Sequence, residues 1–149
     1  MADLHLTQLE ADELIRLPKT RTSEEEYVYP GGGGALVVPL QSEDQREDFL
    51  LDVSRGRINL AKGKYQTRAR QAIVLVRLDF GGAPHRNPDG EELACPHLHR
   101  YREGFGDKWA TPVPEEEFSN LDDLWLTLEE FMAYCNVVER PHISGRLLA

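Results

Sequence analysis

Cysteine is scarce in this 149-residue chain: Cys95 and Cys135 stand forty positions apart, in no metal-like pair. That excludes a disulfide framework and a paired-cysteine zinc site, and predicts reduced thiols in a cytosolic protein. Long apolar runs are missing too, since none approaches the roughly 18–20 residues that cross a bilayer. The opening stretch MADLHLTQLEADELIRL has neither the basic patch nor the continuous apolar run of a secretion signal, so a cytoplasmic location and no membrane partner are expected. Positive charge is in deficit, with 17 Lys/Arg against 26 Asp/Glu and a net charge of −9. Such a chain repels nucleic acid at long range, although a basic face can still hold phosphates locally.

What is present is unevenly placed. Residues 55–108 carry eleven Lys/Arg against six Asp/Glu, a net +5, whereas the flanks carry −8 and −6. Hydrophobic residues at 40% and charged residues at 29% are close to globular averages, and 149 residues suit one domain.

Leu6, Leu9, Leu14 and Leu17 recur at helical spacing behind Thr7 as a cap, and Pro18 ends the pattern. Residues 19–34 are polar, acidic and then glycine-rich; the four glycines at 31–34 predict a hinge or tight turn, and no Gly-Lys-Ser/Thr follows to make a phosphate loop. ALVVPLQ, DFLLDVSR, INLAKGKYQTRAR and QAIVLVRLDF then read as strands, the last three as an antiparallel meander, with Pro39 marking an edge or strand end. Strict alternation in the last of these puts Ala72, Val74, Val76, Leu78 and Phe80 on the core face and Arg77 and Asp79 on the other. Asn87-Pro88-Asp89-Gly90 predicts a hairpin turn. HLHRYRE reads as a short strand, and LDDLWLTLEEFMAYCN as a helix capped at Ser119 or Asn120. The expected fold is therefore α+β: an antiparallel sheet of about four to five strands with an N-terminal and a C-terminal helix. As one domain over 1–149 it divides into a helix and glycine-rich hinge (1–34), a sheet (35–110) and a helix (119–137). The tail from Glu139 reads as loosely ordered.

The candidate site lies between Arg77 and Trp109. Three of five histidines fall within fifteen residues, and His97 and His99, two apart on a strand, project to one face. With His85 they suit acid–base chemistry, or a metal site completed by a third ligand from elsewhere. His97, His99 and Glu103 approximate the first cupin motif, one residue out relative to Gly90 and with no second motif. Arg77, Arg100, Arg102 and Lys108 suit an anionic group, arginine forks fitting phosphate well. Tyr101, taken on the same strand phase, suits hydrogen bonding to a phosphate, and Trp109 suits stacking. Asp79 and Asp107 are expected to orient a histidine or pair with an arginine.

The stretch RLDFGGAPHRNPDG…CPHLHRYREGFGDKWA, with KGKYQTRARQAIVLVRLD before it and NLDDLWLTLEEFMAYCNV after, resembles an uncharacterised bacterial and phage domain family of unknown function. The resemblance covers most of residues 45–138 and implies no activity. Arg77-x-Asp79, Pro84-His85 and Pro96-His97-x-His99 are also similar to toxins of the TumE-like type. That similarity implies a small cytoplasmic toxin that acts on RNA and is restrained by an antitoxin protein. The leading expectation is thus a metal-independent ribonuclease using His85, His97, His99, Arg77 and Tyr101, with Arg100, Arg102, Lys108 and Trp109 holding RNA or another phosphate-bearing ligand, and no cofactor. The alternatives are a non-catalytic binding module that uses the acidic flanks and a metal enzyme built on His97 and His99. A dimer is permitted but not required.

Overall fold

The computed structural model describes residues 5–148; Met1–Leu4 of the stretch read for a leader and Ala149 of the tail lie outside them. Helix α1 (Gln8–Arg16) opens with a capping box, Thr7 accepting from Glu10 N while the Glu10 side chain accepts from Thr7 N. Its buried face is Ala11, Leu14 and Ile15, whereas Leu9 is 70% exposed. The second helix, α2 (Leu124–Tyr134), is capped by Asp123 rather than Ser119 or Asn120: its carboxylate accepts from Leu126 N.

The sheet is larger than the sequence pattern indicates. Strands β1 (Lys19–Arg21), β2 (Glu26–Val28), β3 (Ala35–Ser42), β4 (Asp48–Arg55), β5 (Gly63–Ala69), β6 (Ile73–Phe80), β7 (His85–Arg86), β8 (Glu92–Leu93), β9 (His97–Arg100), β10 (Ala110–Pro112), β11 (Val137–Glu139) and β12 (His142–Ser144) form three sheets. Eight of them make the main sheet in the order β10-β9-β6-β5-β4-β3-β1-β11, while β12–β2 and β7–β8 are two-stranded. The expectation of four to five antiparallel strands is therefore corrected: the main sheet is mixed, because β11 runs parallel to β1. The extra strands are two to four residues long, too short to display a period of two. The tail from Glu139, expected to be loose, ends β11 and supplies β12 and a 3-10 turn at Arg146–Leu148.

The antiparallel meander expected of the last three long strands is β4–β5–β6, and β3 extends it by one strand. Pro39 lies within β3 rather than at its end, but β1 pairs only as far as Leu40, so beyond that point β3 needs no donor on that side. Glycines 31–34 form a tight turn, with Gly34 N donating to Gly31 O and Gly33 at φ 76°.

One face of the sheet carries the core. Val38, Leu40, Phe49, Leu51, Val53, Tyr65, Leu78 and Leu98 pack with the buried faces of both helices, including Leu128, Phe131 and Met132. Each fully buried Leu, Val or Phe side chain contributes about 1.5–3 kcal/mol. Strict alternation fails once, where the β5–β6 register shifts between Thr67 and Arg68 and Leu75 is the extra residue. Val76, Leu78 and Phe80 keep the expected phase, but ahead of the bulge it is Ile73, not Ala72 or Val74, that is buried.

Lys19 joins the two helices. It is fully buried, and its ammonium donates to Ile15 O (2.8 Å), Leu17 O (3.0 Å) and Cys135 O (2.9 Å), the carbonyls left open at the ends of α1 and α2. It also sits over the Phe49 ring. Burial pulls its pKa down to about 8.

Candidate functional site

The site is built on the sheet face opposite the core. Pairing of β6 with β9 sets Arg77 opposite His99, Leu78 opposite Leu98, and Asp79 opposite His97. Because side chains alternate, the two leucines enter the core and the four polar residues meet on the other side. There they are roofed by the β7–β8 hairpin. Asn87 at the hairpin turn pins that roof, its side chain donating to Ala110 O (3.0 Å) and accepting from Ala110 N (2.8 Å). The hairpin brings His85 over His97 and His99.

The three rings sit with centroids 4.5–5.5 Å apart. One ligand nitrogen from each lies within 4.8 Å of the others. Each ring also meets a fixed acceptor: His85 Nε2 meets Lys108 O (2.8 Å), His97 Nε2 meets Asp79 Oδ2 (3.2 Å), and His99 Nδ1 meets Asp107 O (2.7 Å). As neutral rings donating to these acceptors, they leave the lone pairs on His85 Nδ1, His97 Nδ1 and His99 Nε2. Arg77 NH2 donates to His99 Nε2 at 3.0 Å, which favours that neutral form. His97 and His99 are 3% and 0% exposed, and His85 is half-buried.

Arg77 and the carboxylates tie the rings together. Arg77 pairs with Asp107 Oδ2 (2.6 Å) and lies 3.3 Å from Asp79 Oδ2. Asp79 Oδ2 is also 3.3 Å from His99 Nε2. Burial opposes the Asp79 charge. Hydrogen bonding to His99 and the neighbouring Arg77 guanidinium outweigh it and bring the carboxyl down to about 2. Burial holds the His97 pKa below the usual imidazole value, against the pull of Asp79. The roles expected of Asp79 and Asp107 match this geometry.

The remaining expected residues are scattered. Arg100 pairs with Val76, so alternation turns it to the helix side, where it donates to Tyr134 Oη (3.2 Å) and lies 3.9 Å from Asp12. Tyr101 follows the last residue of β9 and is buried in the core; its hydroxyl accepts from Leu6 N (2.8 Å) and donates to Leu6 O (3.3 Å). Glu103 accepts from Gln8 N (2.7 Å), which removes it from the cupin-like pattern. Arg102 stacks on the Trp109 ring, 4.3 Å from its centroid, with Phe105 edge-on beyond. Lys108 reaches the cluster only through its carbonyl; its side chain is exposed. Sequence reasoning did not identify Asn87 as the anchor of the His85 hairpin. The signal was a single asparagine inside a turn motif, where a turn role suffices.

Among the described residues, four buried side-chain atoms lack a hydrogen-bond partner: Arg77 Nε, Asp79 Oδ1, His97 Nδ1 and Trp109 Nε1. Three belong to this cluster, where one buried cation meets two carboxylates and neutral imidazoles.

Fold and site together define an α+β protein with a mixed sheet, helices on one face and a buried trihistidine cluster on the other. The chain belongs to a family of unknown function, DUF6978, whose sequence profile matches residues 6–137. No curated protein and no solved structure matches it. No helix among the described residues is long and apolar enough to cross a membrane.

Proposed function

We propose that His85, His97 and His99 form a divalent-metal centre of the zinc class, and that the protein is a metal-dependent hydrolase of phosphate esters. The observation that carries this reading is the convergence of three imidazole nitrogens within 4.8 Å, each ring held by a carbonyl or carboxylate acceptor. Histidines that bind metal characteristically donate their other ring N–H to such acceptors, which fixes the tautomer. Nitrogens on one tetrahedral ion sit about 3.4 Å apart at a metal–nitrogen distance of about 2.1 Å, so the rings need to close by at most about 1.4 Å. Two uncapped buried acceptors, Asp79 Oδ1 and His97 Nδ1, and a net side-chain charge of −1 from Arg77, Asp79 and Asp107 favour a cation there. Three protein ligands leave one position for water, and a bound ion of this class activates it as a nucleophile. Arg77 releases His99 but keeps Asp107 and Asp79, and Asp79 holds His97 and can take a proton at Oδ1.

The metal-independent ribonuclease needs two imidazoles at the phosphodiester, and His97 and His99 are enclosed; that favours the metal reading. RNA is nevertheless the first substrate to test, since the toxin resemblance implies it, with an antitoxin protein as the implied partner. Metal analysis of the purified protein, followed by titration of the stripped protein with zinc, checks the proposal. One equivalent bound in the wild type and none in His97→Ala/His99→Ala is expected, with RNA cleavage following the metal. Failure of zinc, manganese and cobalt to bind at micromolar concentrations overturns it.

A further inference from the structure

The polar row that enters the histidine cluster continues across the sheet away from it. Register sets Ser54 opposite Lys64, Lys64 opposite Asp79, and Asp79 opposite His97. Directly opposed residues share a face, with Cβ atoms about 4.5–5.5 Å apart. Where β4 ends, β5 begins and β6 ends, this row opens into a cleft of about 350 Å³. Arg55, Lys62, Lys64 and Asp79 line it, with Gly56, Gly63 and Gly82 keeping its walls low. A Cβ on Gly82 would come 3.3 Å from Lys62 Cε, so that lysine lies across the turn after β6.

The cleft gathers two lysines and one carboxylate in a protein whose net charge is −9. Several other cations of the basic segment are neutralised, among them Arg68 by Asp52, Arg70 by Glu47, and Arg77 by Asp107. Lys62 and Lys64 have no ion pair or hydrogen bond among the described residues, whereas Arg55 turns to the helix side and donates to the carbonyls of Leu60 and Leu147. Unneutralised cations converging on a concave site next to a carboxylate shared with the histidines are arranged for an anion, and the volume is that of a small-ligand pocket.

We infer that this cleft is the substrate subsite: Lys62 and Lys64 bind a phosphate group and deliver it beside Asp79, at the edge of the histidine cluster. The inference rests on the proposed function for the fate of that phosphate, but phosphate binding itself requires no metal. The positions expected to bind substrate, Arg100, Arg102, Lys108 and Trp109, take no part in this cleft.

The test uses the full chain with two probes, adenosine monophosphate and a fluorescein-labelled single-stranded oligoribonucleotide. Their affinities are compared for the wild type, Lys62→Glu/Lys64→Glu and Arg46→Glu, a charge reversal at an exposed turn elsewhere. The double reversal weakens binding at least about tenfold and Arg46→Glu does not, with affinity falling as salt rises. Binding of the mononucleotide identifies a free nucleotide as the source of the phosphate; binding of the oligonucleotide alone identifies an RNA chain. Equal affinity in the wild type and double variant, or no binding of either probe at millimolar concentration, overturns the inference. Zinc titration separates the two readings: Lys62→Glu/Lys64→Glu keeps its metal, whereas His97→Ala/His99→Ala loses metal and keeps the probe.

Discussion

Two buried polar regions of this protein are built on opposite plans. At Lys19 one ammonium meets three carbonyls at 2.8–3.0 Å, over an aromatic face, and no donor or acceptor of the group is left open. At the histidine cluster six polar side chains converge, and three of the four unpartnered buried atoms among the described residues lie there. A buried polar group left without a partner costs about 1–3 kcal/mol, so a fold retains such groups where something other than stability requires them. Lys19 joins the two helices; the open acceptors of the histidine cluster are those the proposed metal would satisfy.

That contrast is tested most severely by removing the satisfied group. Lys19→Met strands three carbonyls at the junction of α1 and α2, and we expect a loss of about 3 kcal/mol in chemical denaturation, with metal binding intact. His97→Leu should stay within about 1 kcal/mol of wild type in the same assay, because it removes an unpartnered nitrogen, fills its space with carbon, and leaves Asp79 Oδ2, freed of His97 Nε2, still paired with Arg77. A larger loss for His97→Leu than for Lys19→Met would break the comparison.

The pH dependence of stability sharpens it. The folded pKa of Lys19, about 8, lies below its ordinary 10.5, so the unfolded chain binds more protons between these values. Stability therefore rises with pH in that window and loses this gain as pH falls through 8. Between pH 8 and 9.5 the rise should be about 1–2 kcal/mol in the wild type and absent in Lys19→Met. The window closes near pH 10, because burial raises the pKa values of Tyr29 and Tyr65 and keeping them neutral begins to oppose stability there.

Smaller effects come from the supports of the cluster. Asp79→Asn removes the carboxylate that orients His97 and pairs with Arg77; it should lower zinc affinity about 10- to 100-fold and cost about 1–2 kcal/mol in stability. Asn87→Ala unpins the hairpin that carries His85; a loss of about 1 kcal/mol in stability and a several-fold weaker zinc affinity are expected. Unchanged zinc affinity in Asn87→Ala would remove His85 from the ligand set.

The parts of this architecture that were legible in the sequence are those with a repeating pattern. Thr7 and Pro18 bracket α1, the four long strands alternate visibly, and His97-x-His99 with Arg77-x-Asp79 implies facing pairs once β6 and β9 are neighbours. The parts that were not legible depend on pairing between distant segments. β11 joins β1 from more than a hundred residues away, through three residues with no period to read. The bulge at Leu75 inverts the burial phase of the first half of β6. Tyr101 was assigned by extending the alternation of β9 past Arg100, where the strand ends. Lys19, in a stretch read as polar linker, becomes a core residue only because two helix ends meet there.

The central claim is that the histidine cluster is completed by a divalent ion. Calorimetric titration of the metal-stripped, full-length protein with zinc tests it most directly, with His97→Ala/His99→Ala alongside. The account predicts one site of micromolar or tighter affinity in the wild type and none in the variant. No saturable binding by the wild type, or equal binding by both proteins, would contradict it.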